Sequence, residues 1–516
     1  TTSQKQQLIF VNASTMPSPH YISHQKMTQT LSYRMFEIII PLISWSVILM
    51  PIWLSPFQPS IVAFLILLFF LYSFYKSLRI IYFSFLSFRL MERATKTDWN
   101  LMLDSLSDTN KSHIHHFFVM TNYKEEMHII TPAIQALADQ DFDKNRLHLV
   151  LAMEKREGEG AIDRANELTN IFKDRFDEII TTYHPIIKGE IVGKASNEAY
   201  ATRVIYEMTQ KKGLDPKHCL ITVLDADSLL PKNYTPYLTY KYLTEEKNEY
   251  KFFWGPVLLY NNFWKLTLPV RVQSIISSVI RLSLLTQKED LIHISTYSTN
   301  LWLLEQVEFW DVDIIPEDWH LFLQAFFTFG SDVKTIPLFT PINGDPVHTN
   351  SMWTTFKNRY EQEKRWAWGV TDIPYSIARA FQARHIPWGP KIRKIALLSE
   401  IHLFWPTSFF LLFFGAYLPS VVNPNFARTS LGFLLPQISS VIMTLSSLLL
   451  LIFIFFDFRL RHRVNIKTEI RHLPLLFIQW YFLPLISFVF SSLPALEAHT
   501  RLLLGKKIEY KVTEKA

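Results

Sequence analysis

The sequence predicts an α/β domain with a mainly parallel sheet, held between two groups of membrane-spanning helices. Three observations predict it. Long apolar runs lie near both ends of the 516 residues, charge concentrates in the middle, and short strand-like runs alternate there with helical patterns. Nearly half the residues (49%) are hydrophobic, with 41 Phe and 14 Trp, too apolar for an ordinary soluble enzyme. Yet 19% are charged, too many for a chain made only of membrane helices. The net charge of +6 forms no concentrated basic domain, and no nucleic-acid partner is expected.

In chain order, residues 1–34 are polar and lack the apolar core of a cleavable leader, so they are expected to be a cytosolic segment. Runs over residues 35–54 and 60–83 are each near the ~20 residues that cross a bilayer. The Pro-rich, uncharged connector Ser55–Ser60 makes them a hairpin, taken as residues 35–85. Residues 85–99 carry Arg89, Arg93 and Lys96 among aromatics and read as a helix on the membrane surface. The α/β region spans residues 86–395. Its strand candidates are His115–Thr121, Leu147–Met153, Glu178–Tyr183, Cys219–Leu224 and Lys251–Leu259, with a helix over Asn197–Lys211 among the intervening segments. The single cysteine, Cys219, sits in an apolar strand, which points to packing rather than thiol chemistry and excludes an intrachain disulfide. Trp264–Gln287 and Pro374–Phe381 are amphipathic and suit either packing or the membrane surface.

Apolar runs return over 397–417, 433–456 and 473–493, within a membrane region taken as residues 396–496 and followed by a tail, 497–516. Arg459, Arg461, Arg463, Lys467 and Arg471 follow the second of these, whereas the connector 419–432 holds only Arg428. Basic loops stay on the cytosolic side. This places the α/β domain in the cytosol of a multi-pass protein of the plasma (inner) membrane. Simple alternation sends the C-terminus outside. The tail residues Arg501, Lys506, Lys507, Lys511 and Lys515 argue instead for a re-entrant or broken last segment.

Three motifs carry chemistry. Asp225-Ala226-Asp227 follows the apolar strand Ile221–Leu224. Carboxylates at a strand end project into the crevice where α/β sheets bind ligands, and they suit a hard divalent cation. Pro316-Glu317-Asp318-Trp319 sets acids beside an aromatic. A desolvated carboxylate there can act as a general base, although the acids also suit a helix first turn. Gln362, Arg365 and Trp366 lie at i, i+3 and i+4 of a helix and share one face. The guanidinium suits phosphate, and the indole offers a flat face to a sugar ring.

Together these motifs resemble glycosyltransferase family 2, in the membrane branch with cellulose, chitin and hyaluronan synthases. Tyr123-Lys124-Glu125 resembles the family's turn beneath the nucleotide, and Gly193-Lys194-Ala195 resembles the start of its G-K-A segment. Val512-Thr513-x-Lys515 resembles a short tail motif of the synthases. The resemblance implies a GT-A-like nucleotide-diphospho-sugar transferase domain with flanking transmembrane helices. It also implies direct inversion and Mg²⁺ or Mn²⁺ as cofactor. In the implied site Asp318 is the general base and Asp227 holds the metal. Tyr123, Glu125, Glu154, Lys194, Asp225 and Arg365 bind the donor, a UDP-sugar by preference. Gln362, Trp366 and Glu317 face the acceptor, a growing glycan.

The sequence departs from the family pattern in three places. Glu154 stands where the family has an Asp, Pro316 replaces a common Thr, and Ser295–Asn300 stands where the synthases have a Gly-containing turn. Rival readings are single-sugar transfer to a lipid carrier, a transporter, or an inactive subunit of an export system. Sparse charge within the spans and the absence of an inverted repeat argue against a transporter. The complete acid set argues against an inactive subunit.

Overall fold

The computed structural model describes residues 31–107, 109–461 and 473–510. The polar N-terminal segment to residue 30, most of the basic loop (with Arg463, Lys467 and Arg471) and the tail residues Lys511–Lys515 lie outside them. Two long helices open the described chain, α1 (Leu31–Trp53) and α2 (Pro59–Lys96). Residues 60–96 contain neither Gly nor Pro, so α2 runs unbroken through the stretch expected to be a separate surface helix. At 38 residues it is about 57 Å long, nearly twice the hydrocarbon thickness. Its second half sends Phe88 and Met91 into the core shared with the sheet, while Phe85 and Phe88 still pack against Phe456 of the apolar helix Ser430–Leu460.

That domain holds a seven-stranded sheet in the order β3-β2-β1-β4-β7-β5-β8. Strands β1 (His115–Asn122), β2 (Leu147–Glu154), β3 (Glu178–His184) and β4 (Cys219–Leu224) are mutually parallel. Phe117, Phe118, Val119 and Met120 are all fully buried, because helices cover both faces of the sheet. Helix α3 (Lys194–Lys212) connects β3 to β4 and ends on Gly213 at φ 68°, a left-handed C-terminal cap. Cys219 is buried in β4, as expected of a packing residue.

The run expected as one strand over Lys251–Leu259 is two. Gly255 and Pro256 break it into β5 (Lys251–Trp254) and β6 (Val257–Leu258), and β6 pairs elsewhere. Helix α4 (Leu268–Leu284) follows. Its polar residues Arg271, Gln273, Ser274, Ser278 and Arg281 are buried, which makes it a packing helix between the sheet domain and the membrane-type helices. α2 seats on it through Ser84 Oγ to the Val279 carbonyl (3.1 Å) and Arg79 to Gln287 (2.8 Å). Strand β7 (Tyr297–Asn300) is the one antiparallel member of the sheet among the described residues, wedged between β4 and β5.

After it come α5 (Glu317–Phe329), β8 (Lys334–Pro337) and β9 (Ile342–Asn343), the partner of β6. Next are α6 (Met352–Ala367), α7 (Asp372–Gln382), and two long apolar helices, α8 (Trp388–Phe414) and α9 (Ser430–Leu460). With Leu473–Leu503, five helical segments are long and apolar enough to cross a membrane. The fifth is broken by a 3₁₀ turn at Gln479–Phe482 and a π turn at Phe488–Ser492 before its last helix, α10 (Leu493–Leu503).

The contacts of the fifth segment bend it back on itself. Phe477 lies by Phe458, and Phe488 stacks on Phe409 at 4.5 Å, midway along the bundle. The Ser492 hydroxyl then donates to the Trp405 carbonyl, and Arg34 at the start of α1 donates to the carbonyls of Leu502 (2.8 Å) and Leu503 (2.7 Å). Both ends of the segment therefore lie on the α/β-domain side of the bundle. From there the chain runs on to Tyr510, against Gly193.

Candidate active site

The site lies at the carboxyl ends of the parallel strands, where the backbone turns away and leaves a crevice. Tyr123 follows β1. Glu154 closes β2, and its carboxylate pairs with Arg156, whose guanidinium lies 3.8 Å over the Tyr123 ring. Tyr123 and Glu154 were both expected to bind the donor, and the arginine that joins them was missed. Glu125 stands half-exposed beyond Lys124, which has a left-handed φ of 59°. The Lys124 amide donates to Glu157 at 2.9 Å, and Arg164 holds the same carboxylate at 2.6 Å.

At the centre is Lys194, in the first turn of α3. Its ammonium is 3.0 Å from Asp225 Oδ1, 3.0 Å from Glu317 Oε1 and 3.7 Å from Glu198 Oε1. These carboxylates hold its pKa well above the usual lysine value despite burial. Glu198 is fully buried, and neither of its oxygens has a hydrogen-bond partner. Desolvation pushes its carboxyl well up, against the pull of Lys194.

Asp318 follows in the first turn of α5. Its Oδ2 accepts the Ser295 amide at 2.9 Å, and its Oδ1 accepts the Trp319 amide at 2.8 Å. Desolvation, then the charge of Glu317, raises its pKa to about 7 against those two amides and Lys194. That is the range in which a carboxylate can take and return a proton at neutral pH.

Ser295 joins the two acid motifs, its amide on Asp318 and its hydroxyl on Asp225. It is held at φ 66°, a region that favours glycine. The departure noted at Ser295–Asn300 thus begins with a serine in left-handed backbone. Asp227 is 6% exposed, and its Oδ2 accepts the Asp345 amide at 2.7 Å.

The described residues include no group of three or more His, Cys, Asp or Glu side chains fit to hold a metal ion. Asp225 and Asp227 are two oxygen donors at one strand end. That set would suit a hard divalent cation whose remaining ligands come from outside these side chains.

The Gln362-Arg365-Trp366 motif lies on α6, capped by the Ser351 hydroxyl. Trp366 sits under two guanidiniums, Arg359 at 4.9 Å and Arg281 at 5.8 Å. Arg359 also donates to Gln362 (2.6 Å), Glu363 (2.6 Å) and Gln273 (2.7 Å), fixing α6 to α4. Arg365 points to Tyr510, its guanidinium 4.8 Å from the ring. The same ring presses on Gly193, where a Cβ would come within 2.9 Å. Tyr510 therefore stands between Arg365 and the Lys194 end of α3. Sequence reasoning stopped two residues short of it, at Val512.

The structure thus brings Asp225 and Glu317 onto Lys194 and links Asp318 to Asp225 through Ser295, with Asp227 at the same strand end. Tyr510 bridges Arg365 to this group, while Gln362 and Trp366 are joined through Arg359. Tyr123 and Glu154 form a separate patch at the ends of β1 and β2.

The family model described as "Glycosyl transferase family group 2" matches residues 220–458, a stretch that holds both acid motifs and all of α6. No curated protein matches the chain in sequence. Among solved structures, mannosyltransferase PcManGT from Pyrobaculum calidifontis, in complex with GDP-Man and Mn²⁺, aligns over 86% of this chain and 99% of its own. The identity is 11% and the TM-score 0.43. S. aureus TarS 1–349, in complex with UDP-GlcNAc, aligns over 63% and 88% at 12% identity and TM-score 0.31. Superpositions this loose add nothing about activity. The mixed sheet, with the family match over residues 220–458, gives the fold class: a GT-A-like α/β domain flanked by apolar helices.

Proposed function

We propose that the protein is an inverting glycosyltransferase of the membrane-embedded synthase type. It moves a sugar from a nucleotide-diphospho-sugar, UDP-linked by preference, to a growing glycan at the cytosolic face of the plasma membrane. The observation that carries this reading is Asp318, a carboxyl raised to about 7, one residue from the Glu317 that pairs with Lys194. Tyr123, Glu125 and Glu154 border the nucleotide. Asp225, Lys194 and Arg365 face the diphosphate, and Asp227 holds the Mg²⁺ or Mn²⁺ that arrives with it. The metal supplies charge neutralisation of the leaving diphosphate. Asp318 accepts the acceptor hydroxyl proton as that oxygen attacks the anomeric carbon, in one displacement without a covalent intermediate. Gln362, Trp366 and Glu317 line the acceptor side.

The test is purified full-length protein with a panel of UDP- and GDP-sugars plus Mn²⁺, followed by nucleotide release. No release from any donor would end the reading. Sidedness is tested by tags. One in the 55–60 connector should be reached from outside the cell, and one at Asn110 should not.

The return of the fifth segment leaves four crossing helices in the described chain, few walls for a polymer conduit. This favours a second reading, a single sugar added to a lipid carrier. The product separates the two, because a lipid-linked sugar extracts into organic solvent and a long glycan does not.

A further inference from the structure

Two residues beyond Asp318 on α5, His320 is buried at 2% exposure. Its Nδ1 lies 2.7 Å from Asp372 Oδ1 and its Nε2 lies 2.9 Å from Asp311 Oδ2. Carboxylate oxygens only accept, so both ring nitrogens donate and the ring is an imidazolium. Burial alone would push its pKa down. The two carboxylates override this and raise it to about 10. Tyr375 packs on the ring at 4.2 Å.

Each partner belongs to a segment that reaches the site. Asp372 opens α7, which follows the helix of Gln362, Arg365 and Trp366 after the single turn 368–371. Asp311 precedes Val312, whose carbonyl accepts the Ile191 amide at 2.8 Å, two residues before Gly193 and three before Lys194. One buried cation therefore ties together the helix of the base, the helix after the tryptophan motif and the approach to the diphosphate lysine.

We propose that His320 is a positioning residue: its two-sided clamp holds the first turn of α5 so that Asp318 meets the acceptor hydroxyl. The inference rests on the glycosyltransferase reading above. Its physical basis is that a misplacement of about 1 Å in a reacting group costs ~10²-fold in rate.

His320→Gln alone would leave two carboxylates facing each other in the interior. The pair His320→Gln with Asp372→Asn avoids this. The cluster's net charge is −1 before (+1 −1 −1) and −1 after (0 −1 0), with Asp311, 29% exposed, still ionised. In the full-length protein the pair should lower turnover ~10–100-fold and leave nucleotide-sugar binding within ~2-fold. Placed on Asp318→Asn, the same pair should cost less than ~2-fold further, because it acts through the missing carboxylate. Hydrogen exchange should quicken in peptides over 316–323 and stay unchanged over β1–β4.

Unchanged turnover overturns the proposal. So does an equal loss with and without Asp318, or donor binding that falls in step with turnover. Hydrogen exchange reads the clamp without catalysis. A wild-type protein that releases no nucleotide would therefore fail the enzymatic reading, while the exchange data still decide whether the clamp holds α5.

Discussion

The two halves of the crevice are built in different ways. On the side proposed for the donor, Tyr123, Glu154 and Asp225 leave the ends of three parallel strands, β1, β2 and β4. Register alone sets their spacing: Met120 pairs with Leu224, the residue before Asp225, and Asn122 pairs with Met153, the residue before Glu154. On the acceptor side the sheet turns antiparallel at β7, Ser295 is held in a left-handed turn, and α6 is positioned by partners far along the chain. Arg359 reaches Gln273, and Tyr360 and Lys364 reach Glu497 (2.9 and 3.1 Å). In the proposed reading, donor geometry is inherited from secondary structure, and acceptor geometry is assembled from tertiary contacts with the membrane-type helices. Binding should therefore be robust where strands supply it, and turnover should be sensitive where helices must meet.

The largest expected effect tests that division most directly. Asp318→Asn should cut turnover by ~10²–10⁴-fold while nucleotide-sugar binding, read by calorimetry, changes little. Near-normal turnover would move the base elsewhere, first to Glu317. Arg365→Ala comes next. It stands on the acceptor-side helix but faces the donor, so it should weaken donor binding roughly tenfold or more and slow turnover with it. Arg365→Lys should recover little, because lysine lacks the planar fork. A pure rate effect with intact donor affinity would return Arg365 to the acceptor half.

A smaller effect concerns pH. Asp318 must be ionised to act, so activity should rise with pH through a midpoint near 7. The negative charge of Glu317 helps raise that midpoint. Glu317→Gln should therefore move the acid limb of kcat/KM to lower pH, and a limb that stays fixed or moves upward would remove Glu317 as a cause. The smallest effect is structural. In Gly193→Ala the new methyl would meet the Tyr510 ring at 2.9 Å. The tail should be released, which is visible as faster proteolysis after Lys506 and Lys507 at an unchanged melting temperature.

The same division explains what could be read before the structure. Cys219–Leu224 was delimited to the residue, and the strands at 115 and 147 to within one, because a strand buried on both faces is a local apolar signal. The half-buried edge strand at 178 was found to within one by its β-branched run Ile179–Thr182. Asp225 and Asp227 were legible for the same reason, since a strand end is a local event. Ser295 in its double role, Arg281 and Arg359 around Trp366, and the His320 clamp were not. Each includes a contact across tens of positions, from 23 for Ser295 and Asp318 to 86 for Arg359 and Gln273, and no periodicity records such a meeting. The two missed boundaries have local causes: the lack of any helix breaker between 60 and 96, and Gly255-Pro256 inside an apolar run. Tyr510 was hidden because the tail's side of the membrane depended on whether the last segment crosses or returns.

The unbroken α2 has a mechanical consequence. One end sits among the membrane-type helices, and the other holds α4 through Ser84 and Arg79, while α4 carries the Gln273 and Arg281 that brace Trp366. A rod of about 57 Å with no hinge transmits tilt rather than absorbing it. A thicker or thinner bilayer that changes the angle of α2 should therefore shift α4, and with it the arginine brace on Trp366, against the strand ends, so the lipid around the helices is expected to tune the proposed site.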